Sequence, residues 1–191
     1  MSVDLGALFN KYGSDKDRNG YTPLYHSLFK NIRDKPLQIL EIGIGTMIPG
    51  VPSSMVGYSL PGYAPGGSLR AWRDYFPNAT ILGCDVQPDT QFTDDRISTI
   101  QCDSRREEIL YPLLGDRQFD IILDDASHWD ECQRKTLFNL WKYVKPGGFY
   151  IIEDVTVKSR IPTEFLQEIK DFVGNAPMFF TEKKNILVIS K

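Results

Sequence analysis

The chain has 191 residues, a length that fits one domain with a sizeable hydrophobic core. Its residues are 41% hydrophobic and 25% charged, and no stretch approaches the roughly 20 apolar residues that a membrane-spanning helix needs. The net charge of −3 gives no basic surface for nucleic acid, so we expect a small-molecule partner, with neither nucleic acid nor a membrane involved.

The N-terminus and the cysteines indicate the compartment. The first residues, MSVDLGALFNKYGSDK, contain no basic region followed by an apolar run, and so they do not predict a secretory signal. The three cysteines, Cys84, Cys102 and Cys132, are an odd number and form no CxxC pair, which argues against disulfides and a thiolate zinc site. We therefore expect a cytoplasmic protein whose cysteines are mostly small buried side chains.

Five short apolar runs, each followed by a polar or acidic residue, predict buried β-strands. They span residues 37–42, 80–84, 97–101, 119–123 and 148–152. Helical patterns alternate with them at residues 67–75, 107–114, 130–144 and 162–173, the third ending at a Lys-Pro-Gly-Gly breaker. This alternation predicts a doubly wound, mostly parallel α/β sheet of the Rossmann-like kind.

The last residues, PMFFTEKKNILVIS, predict two strands joined by a polar turn at residues 182–185. A C-terminal antiparallel hairpin that closes a parallel sheet is the layout of the class I methyltransferases, an analogy that adds to the pattern. We predict a single domain over residues 1–191. Within it, residues 1–36 form an N-terminal helical segment and residues 46–66 a long loop, and both are predicted to cover the ligand-binding edge as a lid.

Two glycines follow an acidic residue at the end of the first strand, as Glu41, Gly43 and Gly45. Glycines here allow a tight turn and the close approach of a ligand. An acidic residue in front of them would repel a diphosphate but suits a ligand with an ammonium group, such as S-adenosyl-L-methionine. An NAD site is a weaker alternative, because GxGxxG is absent after Gly45.

Acidic residues also end the second and third strands. Asp85 is placed to accept hydrogen bonds from the ribose hydroxyls of an adenosine cofactor. Asp103, followed by Ser104, is placed to accept one from an adenine amino group. Turn or cap roles for these residues remain open alternatives.

Two neighbouring strands each end in a pair of acids, Asp124-Asp125 and Glu153-Asp154. Because parallel strand ends converge on one crevice, up to four carboxylates would share a small volume, and their repulsion would force protonation. A hard divalent cation would relieve it, since Mg²⁺ prefers oxygen ligands, and Mn²⁺ is equally suited. His128 lies beside these acids and is placed to take a proton from a metal-activated hydroxyl.

Several motifs together resemble the metal-dependent sugar O-methyltransferases of macrolide antibiotic biosynthesis, the mycinamicin type. These motifs are ILEIGIG, GGSLRAWRDYFPNATILGCDV, DDASHW and FYIIEDV, and the resemblance runs from KYGSDK through IIEDV. It implies that Asp125, Glu153 and Asp154 bind Mg²⁺ and that His128 is the base. It implies cofactor contacts at Glu41, Gly43, Asp85, Asp103 and Ser104, with support from Asp124 and a closing segment at Tyr12, Gly13 and Ser14.

These observations predict methyl transfer from S-adenosyl-L-methionine to a hydroxyl of a sugar or glycosylated natural product. Two alternatives remain open: a catechol-type O-methyltransferase acting on an aromatic diol, and a cofactor-binding domain without turnover. The family has an additional N-terminal domain that helps to assemble its oligomer, and this sequence shows no counterpart. The sequence is still compatible with a homo-oligomer.

Overall fold

A mostly parallel sheet forms the centre of the computed structural model, which describes residues 3–51, 54–59, 63–155 and 162–191. Within these residues the strands are β1 (Gln38–Ile42), β2 (Thr80–Asp85), β3 (Thr93–Asp94), β4 (Ile97–Gln101), β5 (Phe119–Asp124), β6 (Val144–Ile152), β7 (Met178–Thr181) and β8 (Ile186–Ser190). Their order across the sheet is β3-β4-β2-β1-β5-β6-β8-β7. The central strands from β4 to β6 are parallel, whereas β3, β7 and β8 are antiparallel to their neighbours. This confirms the predicted doubly wound sheet and its C-terminal hairpin.

Helices cover both faces of the sheet. They are α1 (Leu5–Lys11), α2 (Thr22–Phe29), α3 (Gly67–Tyr75), α4 (Glu107–Leu114), α5 (Asp130–Leu140) and α6 (Pro162–Val173). One hydrophobic cluster joins α1, α2 and α3 to the sheet, and a second joins α4, α5 and α6 to the opposite face. Because side chains alternate along a strand, Ile39 belongs to the first cluster and Leu40 to the second, and both are buried.

Aromatic rings fix the N-terminal segment onto the sheet. The Trp72 ring on α3 makes edge contacts with Phe9 of α1 and Tyr25 of α2, at centroid distances of 4.9 and 5.2 Å. All three side chains are fully buried. Burial of such large rings is a strong apolar contribution to stability, and it holds residues 12–21, which connect the two helices, at the edge of the sheet.

The boundary between α5 and β6 differs from the prediction of a helix over 130–144 and a strand over 148–152. The helix ends at Leu140, a 3₁₀ turn covers Trp141–Tyr143, and β6 begins at Val144. Val144 pairs with Phe119, and the register then shifts before Phe149 pairs with Ile121. The Lys-Pro-Gly-Gly sequence therefore forms an irregularity inside the strand, where glycine tolerates the unusual backbone.

The parallel register brings the ends of three strands together. Gly43 N donates to Cys84 O at 2.9 Å, Asp125 N to Ile42 O at 2.8 Å, and Glu153 N to Asp124 O at 2.9 Å. The residues that follow β1, β5 and β6 therefore lie side by side at the carboxyl edge, where open α/β sheets bind ligands.

Three further expectations concern the cysteines, the number of domains and membrane-spanning helices. Cys84 and Cys102 are buried and Cys132 is partly exposed, and all three are free thiols. The single-domain prediction over 1–191 includes residues 1–2, 52–53, 60–62 and 156–161, which lie outside the described residues. In the part of the chain that is described, no helix combines the length and the apolar character needed to cross a bilayer.

Candidate functional site

A cavity of about 870 Å³ opens at the carboxyl edge of the sheet. Most of the predicted site residues line it: Ser14, Gly43, Gly45, Asp85, Asp103, Ser104, Asp124, Asp125, His128, Glu153 and Asp154. Tyr12, Gly13 and Glu41 lie outside its lining. A volume of this size accommodates a cofactor and a second small molecule.

Asp125, His128 and Asp154 form a compact group that we call the acid–histidine cluster. One nitrogen or oxygen atom from each lies within 4.8 Å of the others. His128 Nε2 is 3.0 Å from Asp125 Oδ1 and 3.7 Å from Asp154 Oδ2. The hydroxyl of Tyr21 donates a hydrogen bond to Asp154 Oδ1 at 2.6 Å, which fixes that carboxylate.

Glu153, the third acid predicted to bind a metal, forms its hydrogen bonds with Lys16 and Tyr25 instead of with the acid–histidine cluster. Its side chain is 1% exposed. Lys16 Nζ donates to both of its carboxylate oxygens at 2.8 Å, and the hydroxyl of Tyr25 donates to Oε1. Its metal role stays a prediction, since its oxygens are engaged by these donors.

Lys16 is one of the residues that the sequence reasoning missed. Its side chain is 1% exposed, and its Nζ also lies 2.6 Å from Asp125 Oδ2 and 3.5 Å from Glu41 Oε1. A buried ammonium requires close negative partners, which these three carboxylates provide. The sequence contained one indication of such a residue. The acids predicted at the strand ends repel one another, and a basic side chain from elsewhere in the chain would offset that repulsion.

The site carries more negative than positive groups. Burial disfavours the charge on Lys16, but Asp125, Glu153 and Glu41 together raise its pKa well above the usual value. Burial also raises the pKa of Glu41, and burial with the nearby Asp125 raises the pKa values of Glu153 and Asp154. The upward pKa shifts of Glu41, Glu153 and Asp154 thus come first from burial and then from the neighbouring negative charge of Asp125.

Asp125 and His128 form the charged pair of this site. Burial alone would raise the pKa of Asp125, but Lys16 and His128 lower it to about 2. Burial would lower the pKa of His128, but its hydrogen bond to Asp125 and the charges of Asp125 and Asp154 raise it to about 9. The imidazole is therefore protonated at neutral pH in this arrangement.

The acid–histidine cluster fits a divalent cation. Oxygens of Asp125 and Asp154 converge at the open side of the cavity, and carboxylate oxygens are the ligands that Mg²⁺ and Mn²⁺ prefer. Burial and the charge of Asp125 raise the pKa of Asp154, and a cation there would offset both effects by favouring the ionised carboxylate. Cation binding is thus compatible with both the donors and the charge of the site.

The region after β2 and β4 holds the predicted adenosine-binding residues. Asp85 accepts hydrogen bonds from Ile44 N at 2.8 Å and Gln87 N at 2.9 Å, and burial raises its pKa. Both carboxylate oxygens of Asp103 are held by Arg105, which lowers its pKa. Ser104 is buried with its hydroxyl 2.9 Å from that of Thr136.

Gly43 and Gly45 have backbone φ angles of +89° and +86°. A Cβ atom at Gly43 would lie 2.2 Å from the carbonyl oxygen of Asp125, and one at Gly45 would lie 2.2 Å from the hydroxyl of Tyr63. Both glycines are therefore required by neighbouring protein atoms as well as by the backbone. The prediction that a ligand approaches them closely stays a prediction.

The remaining predicted cofactor residues lie at or behind the cavity wall. The Glu41 carboxylate is buried and accepts a hydrogen bond from Trp72 Nε1 at 2.8 Å. The hydroxyl of Tyr12 donates to Asp74 Oδ2 at 2.5 Å, and Gly13 packs against Tyr63. Burial raises the pKa of Asp124 to about 7.

The two predicted lid segments contact each other across the cavity. A guanidinium nitrogen of Arg18 donates to Tyr58 O at 2.6 Å, and both residues line the cavity. The hydroxyl of Tyr63 lies 3.0 Å from Gly45 O, which attaches the loop to the end of β1. Residues 52–53 and 60–62 of the predicted loop lie outside the described residues.

Gln133 on α5 is a second residue that the sequence reasoning did not single out. It is 1% exposed, lines the cavity, and its Nε2 donates to Glu153 O at 2.8 Å. It thereby joins α5 to the acidic end of β6. Its position on the buried face of a helix resembles that of a core residue, and so the sequence pattern did not distinguish it.

Sequence comparison finds natural-product methyltransferases among the relatives of this chain. It is 37% identical over 155 residues to 8-demethyl-8-(2-methoxy-alpha-L-rhamnosyl)-tetracenomycin-C 3'-O-methyltransferase of Streptomyces olivaceus, covering 80% of this chain and 37% of that protein. It is 35% identical to mycinamicin VI 2''-O-methyltransferase of Micromonospora griseorubida, covering 80% and 36%. No family model matches the sequence.

Structural comparison gives the same group. The MycE methyltransferase of the mycinamycin biosynthetic pathway, solved with Mg, SAH and mycinamycin VI, matches with a TM-score of 0.80 at 26% identity. That match covers 100% of this chain and 54% of MycE. Fibrillarin of Methanococcus jannaschii, at a TM-score of 0.53 and 15% identity over 83% of this chain and 66% of that one, shares the fold alone.

The relatives are longer than this chain, which spans little more than a third of the length of the curated relatives that it matches. The matched part includes 155 residues, and the structural match extends over the whole chain. The chain is therefore a homologue of the sugar O-methyltransferases of macrolide and tetracenomycin pathways and has the class I methyltransferase fold.

Proposed function

We propose that this chain is an S-adenosyl-L-methionine-dependent, divalent-metal-dependent O-methyltransferase that acts on a hydroxyl of a sugar or glycosylated natural product. The observation that carries the proposal is the position of the acid–histidine cluster, Asp125, His128 and Asp154, in one cavity with Asp85 and Asp103. Two relatives are named as O-methyltransferases of a rhamnosyl-tetracenomycin and of mycinamicin VI, and these names support the same reaction.

The methyl donor would occupy the cavity between β1, β2 and β4. Asp85, at the tip of β2, would accept hydrogen bonds from the ribose hydroxyls, and Asp103 and Ser104 would contact the adenine. Because Arg105 holds both carboxylate oxygens of Asp103, an adenine amino group would share an oxygen that already accepts a hydrogen bond. Glu41, Gly43 and Gly45 would face the methionine part, with Asp124 in support and Tyr12, Gly13 and Ser14 closing the site.

The acceptor would lie at the acid–histidine cluster. Asp125 and Asp154 would hold Mg²⁺ or Mn²⁺ there, with Glu153 adjacent, and the bound ion would lower the pKa of a coordinated hydroxyl. His128 lies within 3.7 Å of both aspartates and would receive the proton. Alignment of the hydroxyl with the methyl group would supply much of the rate, since the sulfonium is already reactive.

We also propose that residues 1–36 and 46–66 act together as a lid over the site. The hydrogen bond between Arg18 and Tyr58 supports this role. The same proposal includes a cytoplasmic location and a homo-oligomeric assembly. It also includes a small-molecule partner, with no nucleic acid or membrane involved.

The proposal is tested by incubating the protein with S-adenosyl-L-methionine and a panel of glycosides and catechols. We expect mass spectrometry to show gain of one methyl group on a glycoside, loss of that product with EDTA, and recovery with Mg²⁺ or Mn²⁺. Methylation of catechols alone would favour the catechol-type alternative. Calorimetry that detected binding of NAD instead of S-adenosyl-L-methionine would overturn the proposal.

A further inference from the structure

Lys16 is a buried cation to which the proposed function gives no role. It lies between α1 and α2, and its Nζ is close to one acid in β1 and to the acids that directly follow β5 and β6. The distances are 2.6 Å to Asp125 Oδ2, 2.8 Å to Glu153 Oε1 and 3.5 Å to Glu41 Oε1. Since the side chain is 1% exposed, these carboxylates, and not water, compensate its charge.

Asp125 is shared between Lys16 and the acid–histidine cluster. Its Oδ2 accepts from Lys16 Nζ, whereas its Oδ1 lies 3.0 Å from His128 Nε2 on the cavity side. A divalent cation bound by Asp125 and Asp154 would therefore share one carboxylate with the ammonium of Lys16. Two positive charges at such close range repel each other.

Glu153 contacts Lys16 and is not part of the acid–histidine cluster. Both of its oxygens accept from Lys16, and Oε1 also accepts from the hydroxyl of Tyr25. Among the described residues, the group of possible metal ligands includes Asp125, His128 and Asp154 but omits Glu153. The ammonium thus holds the acid that the family resemblance would assign to the metal.

We propose that Lys16 is an internal counter-ion that competes with a divalent cation for Asp125 and Glu153 and thereby weakens and sets the metal affinity of the site. The inference rests on the metal site of the proposed function. It makes Lys16 a positioning residue, which keeps the acids folded together when no metal is bound and orients Glu153 away from the cluster.

The test is Mn²⁺ binding, measured by the electron paramagnetic resonance signal of free Mn²⁺ without any methyl acceptor. Removal of one positive charge next to the site in Lys16→Met is expected to tighten Mn²⁺ binding by about tenfold or more. A purely structural role would leave the affinity unchanged or lower it. Lys16→Arg, which keeps the charge, should stay close to the wild-type affinity.

A second pair of variants keeps the test decisive if Lys16→Met does not fold. Lys16→Met leaves three carboxylates without their cation, whereas Glu153→Gln together with Lys16→Met removes the lysine and one of its buried acids at the same time. We expect the double variant to bind Mn²⁺ about tenfold more tightly than Glu153→Gln alone. Lys145→Met is the matched control, because Lys145 pairs with Asp120 at 2.8 Å near the opposite ends of β5 and β6.

Thermal unfolding gives an independent readout. Ligand binding stabilises the folded state by an amount that increases with the logarithm of the ligand concentration divided by Kd, so the same Mg²⁺ concentration should raise the midpoint of Lys16→Met more than that of the wild-type protein. Mn²⁺ binding by the wild type with no tightening in either Lys16→Met background would overturn the role of Lys16 alone. No Mn²⁺ binding by the wild type or by any Lys16 variant would overturn the metal site of the proposed function as well.

Discussion

His128 and Asp154 both adopt left-handed backbone conformations, with φ angles of +57° and +50°. Such conformations are unfavourable for residues other than glycine, and they persist where the surrounding structure enforces them. His128 lies four residues after the end of β5 and Asp154 two residues after the end of β6, and His128 Nε2 is 3.7 Å from Asp154 Oδ2. Local strain at these two residues is therefore part of how the acid–histidine cluster is built.

Replacement of His128 tests its role as the base. We expect His128→Ala to lower turnover by about 10²–10⁴-fold, the usual contribution of a positioned general base, while the affinity for S-adenosyl-L-methionine stays the same. Rates with a glycoside acceptor and calorimetry with the cofactor measure the two effects. His26→Ala is the matched control, because His26 is exposed and does not line the cavity. Full turnover in His128→Ala would remove the base assignment.

The protonation of His128 gives a second prediction at this scale. With a pKa of about 9 the imidazole is mostly protonated at neutral pH, so little of it is in the basic form in this arrangement. A cation on Asp125 and Asp154 would cancel the carboxylate charge that raises the pKa. We expect saturating Mg²⁺ to lower the pKa towards its usual value of 6.5.

Nuclear magnetic resonance titration of the imidazole signals measures this shift, and the chain has only two histidines to assign. His26 serves as the internal reference, since it lies on the surface of α2, away from the acids. An unchanged His128 pKa on addition of Mg²⁺ would contradict cation binding at the adjacent carboxylates.

Residue-scale reasoning from the sequence found the acids and the histidine, because they follow strands whose ends converge. It did not find Lys16, Tyr21 or Tyr25, which donate hydrogen bonds to those acids. These donors lie on a segment before β1, where neither strand periodicity nor a motif indicates which side chains turn inwards. Their contacts depend on tertiary packing around Trp72, which the sequence pattern does not express.

At the scale of elements, the site depends on how closely β1 and β5 end beside each other. Asp125 N donates to Ile42 O, and the carbonyl of Asp125 fills the space where a Gly43 side chain would lie. The strand ends therefore pack backbone against backbone. This packing places Asp125 within reach of Lys16 on one side and His128 on the other.

Gly43→Ala tests that packing. The added Cβ would lie 2.2 Å from Asp125 O at a residue with φ of +89°, so we expect a loss of about 3–5 kcal/mol in the free energy of unfolding. Gly174→Ala is the control, because Gly174 has φ of +65° but no atom within 4 Å of the added Cβ. The control should lose only about 1–2 kcal/mol, from backbone strain. Equal losses in chemical denaturation would contradict the packing argument.

The bounds of four strands were predicted accurately, whereas the bounds at the Lys-Pro-Gly-Gly breaker were not. The strands β1, β2, β4 and β5 begin and end within one residue of the predicted bounds. The prediction for β6 was wrong at its start, because Lys145-Pro146-Gly147-Gly148 forms part of an irregular strand. Backbone pairing with Lys191 compensates there, since Gly147 N donates to Lys191 O and Lys191 N to Gly148 O.

At the scale of the whole molecule, the N-terminal segment and the loop after β1 enclose the cavity from two sides. Arg18 bonds to Tyr58, and Thr46 anchors the loop through a hydrogen bond to Asp89 at 2.6 Å. The fold class could be predicted from strand and helix alternation. The contact between the two segments could only be suggested by loop length, because it joins residues far apart in the sequence.

Hydrogen exchange tests this closure. We expect S-adenosylhomocysteine to slow amide exchange in residues 12–21 and 54–59, since ordering of both segments over a bound cofactor protects their backbone. Mass spectrometry of peptides measures the effect, with α6 as the internal control on the far side of the sheet from α1 to α3. Protection confined to the strand ends would contradict a lid role for the two segments.

The distance along the chain between Lys16 and its partners has a consequence for biosynthesis. Lys16 precedes Asp125 by 109 residues and Glu153 by 137. As the polypeptide leaves the ribosome, the lysine emerges long before the acids that will surround it, and contacts of such separation form slowly. The N-terminal segment must wait for β5 and β6 to be translated, so the contacts of Lys16 are complete only after Glu153 has left the ribosome.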